Sequence, residues 1–389
     1  MNMNDEKRKN AVRLKLHFLS EGISFSDRFI NQFSKADRFM EKRKVYNNSD
    51  EQYTQAISRA PQELLMEDII SAVNYKRNSP WMLDFSDELG YHIQKDGRHI
   101  IDVTFPKRPC FLERELSDGV SCGYIANLYG GMYLAFFTPA YCHYNSLDMG
   151  CHYCSLKNNR RKGDAYAMWI DKKMLCETTR IALREDAEQI KGIMLVGGNL
   201  PCEDENFQTF LDLSAAIEAE EIAIMGRSML EIHIATMPPR NLELIKDAGK
   251  YNIRLSMNLE VYDDQLFEQY CPGKAVLYGR EHLKKAILRA AEVLPYGRAH
   301  SILIAGLEPV ESTISGIMFL AENGVVPIVN VFHNDYGTIL QHHKRPSVDE
   351  LLAIGQALQE VYKKYSFTPY WNGCGRNSID YEAKEMLFV

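Results

Sequence analysis

The 389-residue chain has no run of 18 or more apolar residues, so the sequence predicts no membrane-spanning helix. Its opening residues, MNMNDEKRKNAVRLKLHFLSEG, hold no apolar stretch followed by a small-residue cleavage site. No secretory signal is read there, and a cytoplasmic location is expected. Positive charge is not in excess, since 45 Lys and Arg stand against 52 Asp and Glu, a formal net charge of -7. That balance gives no electrostatic footprint for nucleic acid or an anionic membrane, and neither is expected as a partner. The stretch from Lys157 to Lys162 is a basic exception, readable as a solvated loop or as a phosphate or substrate contact. No internal repeat and no low-complexity tract is evident. Of nine cysteines, six (Cys110, Cys122, Cys176, Cys202, Cys271, Cys374) are scattered. Most of these read as buried small hydrophobes, and no structural disulfide is expected in a reducing compartment.

What is present changes character along the chain. Residues 1 to about 60 are polar and charged, which predicts short helices and a loop at Asn47-Asn48-Ser49-Asp50. Residues 61–77, PQELLMEDIISAVNYKR, place Leu64, Leu65, Ile69, Ile70 and Val73 near one face behind a proline, which predicts an amphipathic helix. Asp96-Gly97 between alternating apolar residues is a hairpin signal. From about residue 132 a regular alternation begins. Strands are predicted at 132–138, 192–198, 231–237, 252–260, 300–307 and 325–332. Helices are predicted at 171–190, 205–221, near 240–249, at 263–270, 279–294, 308–323 and 347–364. Six β-then-α units in a row argue for a parallel sheet with helices outside. Right-handed crossovers curl such a sheet into a full or partial barrel, whose site lies at the C-terminal ends of the strands.

The remaining three cysteines, Cys142, Cys151 and Cys154, follow the first of these strands with the spacing C-x8-C-x2-C. They therefore lie on that face. A structural zinc wants four ligands, usually as two paired half-sites, and here only one C-x2-C is present. Three thiolates suit a [4Fe–4S] cluster with one iron left open. The residues alone leave iron–sulfur, zinc with a fourth ligand such as His143 or His152, and no metal as alternatives.

The loop resembles that of the radical S-adenosylmethionine (SAM) superfamily, which places three cysteines after the first strand of a partial (β/α)6 barrel. The usual spacing there is C-x3-C-x2-C, with an aromatic residue before the last cysteine. Tyr153 supplies the aromatic, while the first gap here is eight residues. Gly197-Gly198-Asn199-Leu200-Pro201 resembles the family's GGEP segment, with Asn199 where glutamate is usual. The segment MNLEVYDDQLFEQYCPGKAVLYGREHLKKAI is similar to the branch containing biotin synthase, the 2-iminoacetate synthases and the [FeFe]-hydrogenase maturases. In that branch a glutamate and a following arginine grip the two charged ends of SAM, and the matching residues are Glu260 and Arg280. One anion and one planar cation also suit a zwitterionic amino acid on physical grounds alone. Ile304, Gly306 and Leu307, in ILIAGLE, match the segment that packs on adenine, with Ile302 replacing its first glycine and Glu308 one position early.

The resemblance covers roughly residues 132–345. It does not cover the first 130. The pattern along the chain predicts an α/β protein: an N-terminal α+β extension over 1–130, a partial barrel core over 131–346 and a C-terminal helix and tail over 347–389 that closes the barrel. The resemblance adds the chemistry. It implies a [4Fe–4S] cluster and SAM as cofactors, with cluster ligation by Cys142, Cys151 and Cys154. Tyr153, Gly197, Gly198, Asn199, Glu260, Arg280, Ile304, Gly306 and Leu307 are the implied SAM contacts. The implied chemistry is reductive SAM cleavage to a 5′-deoxyadenosyl radical that takes hydrogen from a small-molecule, amino-acid-like substrate. A small electron donor such as flavodoxin or ferredoxin is the implied partner. Polar residues at strand ends are substrate candidates. Asn330, His333, Asn334, Asp335 and Tyr336 rank first, ahead of His233, Thr236, Met257, Asn258 and Ser301. His300 at a strand beginning reads as structural, and His342 and His343 as loop residues able to close over the site. Cys374, in TPYWNGCGRNSIDYE, has no neighbouring cysteine in the sequence and is a candidate thiol or auxiliary ligand. The rival reading is a non-catalytic zinc or iron–sulfur protein on a barrel scaffold. A metal-free lyase on the same scaffold is a third.

Overall fold

Seven strands, β7 to β13, form one sheet in a computed structural model that describes residues 3–36, 38–41, 60–156 and 167–389. The expected loop at 47–50 and the basic stretch at 157–162 lie outside the described residues. The strands are β7 (Ala126–Tyr129), β8 (Tyr133–Phe137), β9 (Gly192–Val196), β10 (Glu231–Ala235), β11 (Ile253–Ser256), β12 (Ala299–Ala305) and β13 (Val326–Val331). Spatial order equals sequence order, with β8 to β13 all parallel and β7 antiparallel to β8. Each crossover thus moves one strand onward in a single direction, the winding of a TIM-type barrel, and no strand reversal of the doubly wound kind occurs. Among the described residues the sheet is not joined edge to edge, so the barrel is partial. All six predicted β-then-α strands are present.

The central strands are short and largely buried, and every residue of β11 and β12 is buried. Such strands read as unbroken apolar runs because helices cover one face and the barrel interior the other. The helix Lys172–Asp186 is capped by the Asp171 side chain and buries Leu175, Ala182 and Leu183. The helix Val348–Tyr365 begins with a reciprocal Ser347–Glu350 capping box.

Two expectations for the first third are corrected. Residues 61–77 form a hairpin, β2 (Glu63–Met66) and β3 (Ile69–Ala72), rather than a helix. The chain reverses at Glu67, which adopts φ 53°. All four residues of β3 are buried, and a strand buried on both faces matches a helical apolar pattern by coincidence. The short helices expected before residue 60 begin instead with a 19-residue helix, Met3–Glu21, followed by a shorter one, Asp27–Phe33. The first packs on β3 and on the helix Val348–Tyr365. The Asp96-Gly97 hairpin is present between β5 (Gly90–Lys95) and β6 (Arg98–Asp102), both turn residues having positive φ. With β1 (Ser24–Phe25) and β4 (Trp81–Ser86) these make a separate four-stranded sheet. Three scattered cysteines, Cys122, Cys271 and Cys374, are buried, whereas Cys110 and Cys202 are exposed.

The C-terminal segment runs from the floor of the sheet to its last strand. Tyr370 is fully buried, with its ring centroid 4.5 Å from that of His233 and 5.1 Å from that of His300. Trp371 packs beside Tyr129 of β7. Further on, Val331 N donates to Asn377 O at 2.8 Å and Ile379 N to Val329 O at 3.1 Å, laying residues 377–379 along β13.

Candidate metal and cofactor site

The cysteine loop leaves the C-terminal end of β8 and is pinned from three sides. His143 N donates to Asn199 O at 2.7 Å, beyond β9. His152 N donates to Tyr270 O at 2.9 Å, and Gly273 N to Met149 O at 2.8 Å, beyond β11. Leu340 N donates to His152 O at 3.2 Å, beyond β13. Loops far apart in sequence are thus sewn to the cysteine segment by backbone hydrogen bonds. Cys142, Cys151 and Cys154 are all half-buried free thiols. Burial and the neighbouring Cys151 push the Cys154 thiol up to about 12, and burial also raises Cys142. Cys151 is shifted the other way, chiefly by a hydrogen bond from the Cys271 thiol and further by the Lys274 ammonium. Among the described residues, no three His, Cys, Asp or Glu side chains are closed up around a single-ion position.

The turn after β9 lies against this loop with no room to spare. A Cβ on Gly198 would strike the Tyr141 carbonyl, and one on Gly197 the Thr138 carbonyl. The glycines are needed because backbone meets backbone there. Next to them Asn199 is 1% exposed, and neither its Oδ1 nor its Nδ2 has a hydrogen-bond partner among the described residues. A buried amide left without partners costs roughly 1–3 kcal/mol, and such an orphan fits a polar ligand group in this position.

Glu260 and Arg280 sit close in the fold but are differently occupied. Glu260 has φ 68°, and its carboxylate accepts from Lys274 Nζ at 2.8 Å. Lys274 Nζ also donates to Asn258 O at 3.0 Å. Arg280 turns back onto its own segment. It donates to Val261 O at 3.4 Å, to Asp263 O at 3.2 Å and to Tyr262 O, pairs with Asp264 at 2.7 Å, and stacks over Phe267. The arginine therefore organises the loop that carries Glu260. Lys274, which sequence reading did not single out, is the cation that meets the glutamate. Glu308 is likewise committed, accepting from Tyr262 N and Asp263 N at 2.9 and 2.7 Å. Ile304 and Leu307 are buried. Gly306 has φ 98° and packs on Pro346.

The polar strand exit after β13 reaches the same face. His333 Nδ1 lies 2.7 Å from Asp335 Oδ1. Asn334 donates to His343 O at 2.6 Å and accepts from Arg345 Nε at 2.8 Å. Asp335 is buried and its charge is felt at Cys154. Tyr336 is half-buried. The backbone of Asn330 pairs with that of Ser378 in the C-terminal segment. His343 reaches Gly306 O at 3.1 Å and its ring stands near that of Tyr270, whereas His300 is buried and bonded to Arg298 O. Cys271 and Lys274 were missed because their contacts depend on the fold. Cys271 meets Tyr153 across 118 positions at 3.9 Å. The Cys271-Pro272-Gly273-Lys274 run is the one local signal, leading into a π-helical turn, Gly273–Gly279, a feature frequent at functional sites.

No family model matches the chain. Over 238 residues it is 23% identical to bacteriochlorophyllide c C-7(1)-hydroxylase of Chlorobaculum limnaeum, covering 58% of each protein. The chain thus spans under two thirds of that relative. Among solved structures it is similar to the [FeFe]-hydrogenase maturase HydG of Carboxydothermus hydrogenoformans, with 18% identity and a TM-score of 0.42 over 60% of this chain and 52% of that one. It is also similar to coproporphyrinogen III oxidase (HemN) of Escherichia coli, a radical SAM enzyme, with 16% identity and a TM-score of 0.33 over 60% and 51%. A radical SAM methyltransferase of Sphaerobacter thermophilus shows 12% identity and a TM-score of 0.40 over 77% and 81%. Two of these three solved structures are named as radical SAM enzymes.

Proposed function

We propose that the chain is a radical SAM enzyme acting on a small molecule. The observation that carries this reading is the abutment of the three-thiol loop on the Gly197-Gly198-Asn199 turn, where the buried Asn199 side-chain amide has no hydrogen-bond partner among the described residues. When bound, a reduced [4Fe–4S] cluster supplies the electron that splits SAM into methionine and a 5′-deoxyadenosyl radical able to take hydrogen from a substrate. Cys142, Cys151 and Cys154 would hold that cluster, and Asn199 with the Glu260–Lys274 pair would meet the polar end of SAM. Ile304 and Leu307 offer apolar surface for adenine. Arg280 keeps the Glu260 loop in place through the carbonyls of residues 261–263. His333, Asn334, Asp335 and Tyr336, on the loop bonded to His152, are the proposed substrate contacts. Asn330, at the end of β13, remains a further proposed substrate contact.

The curated relative hydroxylates a bacteriochlorophyllide, by its name. For this chain the substrate class proposed is small-molecule, with a flavodoxin- or ferredoxin-type donor supplying the electron. Among the described residues no helix is long and apolar enough to cross a membrane, and a cytoplasmic site of action is part of this proposal.

The test is anaerobic loading with iron and sulfide, followed by dithionite and SAM. About four irons and four sulfides per chain and formation of 5′-deoxyadenosine are expected, and both are lost in the triple Cys→Ala variant. One equivalent of zinc with no 5′-deoxyadenosine would establish the non-catalytic metal-binding alternative in its place.

A further inference from the structure

We propose that the barrel interior takes an uncharged, largely apolar body of the substrate, oriented by the Asn330 side-chain amide, and not the charged ends of a free amino acid. The inference rests on the radical SAM reading and names a substrate class for it. Successive side chains of a strand point to opposite faces, and here the two faces differ. One face of β8, β9 and β10 presents Leu134, Phe136, Ile193, Leu195, Ile232 and Ile234, each at most 2% exposed. That face lies under the helices. On β12 it is carried on by Leu303, whose Cδ1 is 3.0 Å from where a Cβ on Gly316 of the helix Val310–Glu322 would stand. The other face looks into the barrel. Register pairs Phe137 with Val196, Val196 with Ala235 and Ala235 with Ser256, then Ser256 with His300 and Ile304 with Asn330. Phe137, Val196, Ala235 and Asn330 are half-buried. Two residues nearer the strand starts, Met194 and His233 are buried against Trp371 and Tyr370, so the open space ends there.

The fixed charges on that inner face are Glu231 and Arg254, bonded to each other at 2.8 Å on the closed side of this plug. Burial lowers His233 to about 4 and lowers His300 as well, so both rings are neutral near pH 7. On the open side the walls are apolar, with Phe137, Val196, Ala235, Ile302 and Ile304. The Ser256 hydroxyl is already given to Asn258 Oδ1 at 2.7 Å. Asn330 Oδ1 has no hydrogen-bond partner among the described residues, and an amide oxygen accepts an N–H or O–H. A carboxylate or ammonium pressed against such walls loses its hydration and gains no partner, which costs several kcal/mol. Apolar surface entering the same space gains about 25 cal/mol per Å². The nearest charged groups, the Glu260–Lys274 pair and the His333–Asp335 pair, stand beyond the strand ends.

The test is a fluorescence titration of the reconstituted full-length protein with SAM present and no reductant. The probe is N-phenyl-1-naphthylamine, a neutral fluorophore with one N–H that brightens in apolar surroundings. Saturable binding is expected in the wild-type chain, and excess L-tyrosine, a zwitterion, is expected to leave it in place. Ala235→Asp sets a carboxylate inside the barrel and is expected to weaken binding about tenfold or more. Ala235→Phe fills the same space and is expected to weaken it likewise, with iron and sulfide content checking the fold of both variants. Asn330→Leu removes the acceptor for the probe's N–H and is expected to cost about threefold; a gain in affinity would strike the amide from the assignment. Displacement by L-tyrosine in the wild-type chain, or unchanged affinity in both Ala235 variants, overturns the inference. A chain that cleaves SAM yet binds no probe refutes the present inference alone. A chain that binds the probe as expected yet never yields 5′-deoxyadenosine refutes the radical SAM reading, and the substrate assignment falls with it.

Discussion

Glu260 holds a left-handed backbone, φ 68°, and a carboxylate 2.8 Å from a buried lysine. Such a backbone costs about 1–3 kcal/mol in a residue other than glycine and collects at functional sites. Both partners' side chains are only 10% exposed, so removing one charge strands the other. Breaking a buried pair costs roughly 3–5 kcal/mol. Glu260→Gln is therefore expected to destabilise the fold by a few kcal/mol in urea titration and to abolish SAM cleavage. A variant that keeps full stability and full 5′-deoxyadenosine yield would detach this pair from the site. At this scale the cysteine trio was singled out by its spacing, and the glycine pair and Glu260 by the resemblance of their segments. Arg280 was legible as a cation near the site, but its commitment to the carbonyls of residues 261–263 was not. Lys274 and Cys271 were invisible for the same reason, since partners are chosen by a crossing of two loops and not by neighbours in sequence.

Elements show the same division. The six parallel strands were readable because each is an apolar run followed further on by a helix. The hairpin at β2 and β3 was misread, because Leu64, Leu65, Ile69, Ile70 and Val73 satisfy a helical period while Ile69 to Ala72 are in fact all buried as a strand. The junction of β9 with the helix Glu203–Met225 yields an element-scale prediction. Gly198→Ala would drive a methyl group into the Tyr141 carbonyl, so the cysteine loop must move away. Iron loading in that variant is expected to fall severalfold while far-ultraviolet circular dichroism stays close to wild type. Unaltered iron and sulfide content would show that the turn and the loop are not coupled.

At the scale of the molecule, the first helix and the last residues form one buried polar junction. Lys15, fully buried in the helix Met3–Glu21, donates to Gly375 O at 2.8 Å and to Glu382 at 2.6 Å. Asp380 beside it is fully buried. Burial, aided by Glu382, lifts it from 3.8 to about 7. Its folded pKa is above its unfolded one, so its contribution is fully present below about pH 4 and drains away as pH rises to about 7. Three pKa units correspond to roughly 4 kcal/mol as an upper bound. Asp380→Asn is expected to flatten that part of the stability–pH curve and to raise the thermal midpoint near neutral pH, as calorimetry would read. An unchanged slope between pH 4 and 7 would contradict the assignment.

Residues 377–379 have one more consequence. A parallel sheet that stops at an open edge invites a stranger's backbone to continue it. By lying along Val329–Val331, the chain's own tail occupies that berth first, guarding the protein against sheet-to-sheet aggregation on the side where its barrel fails to close.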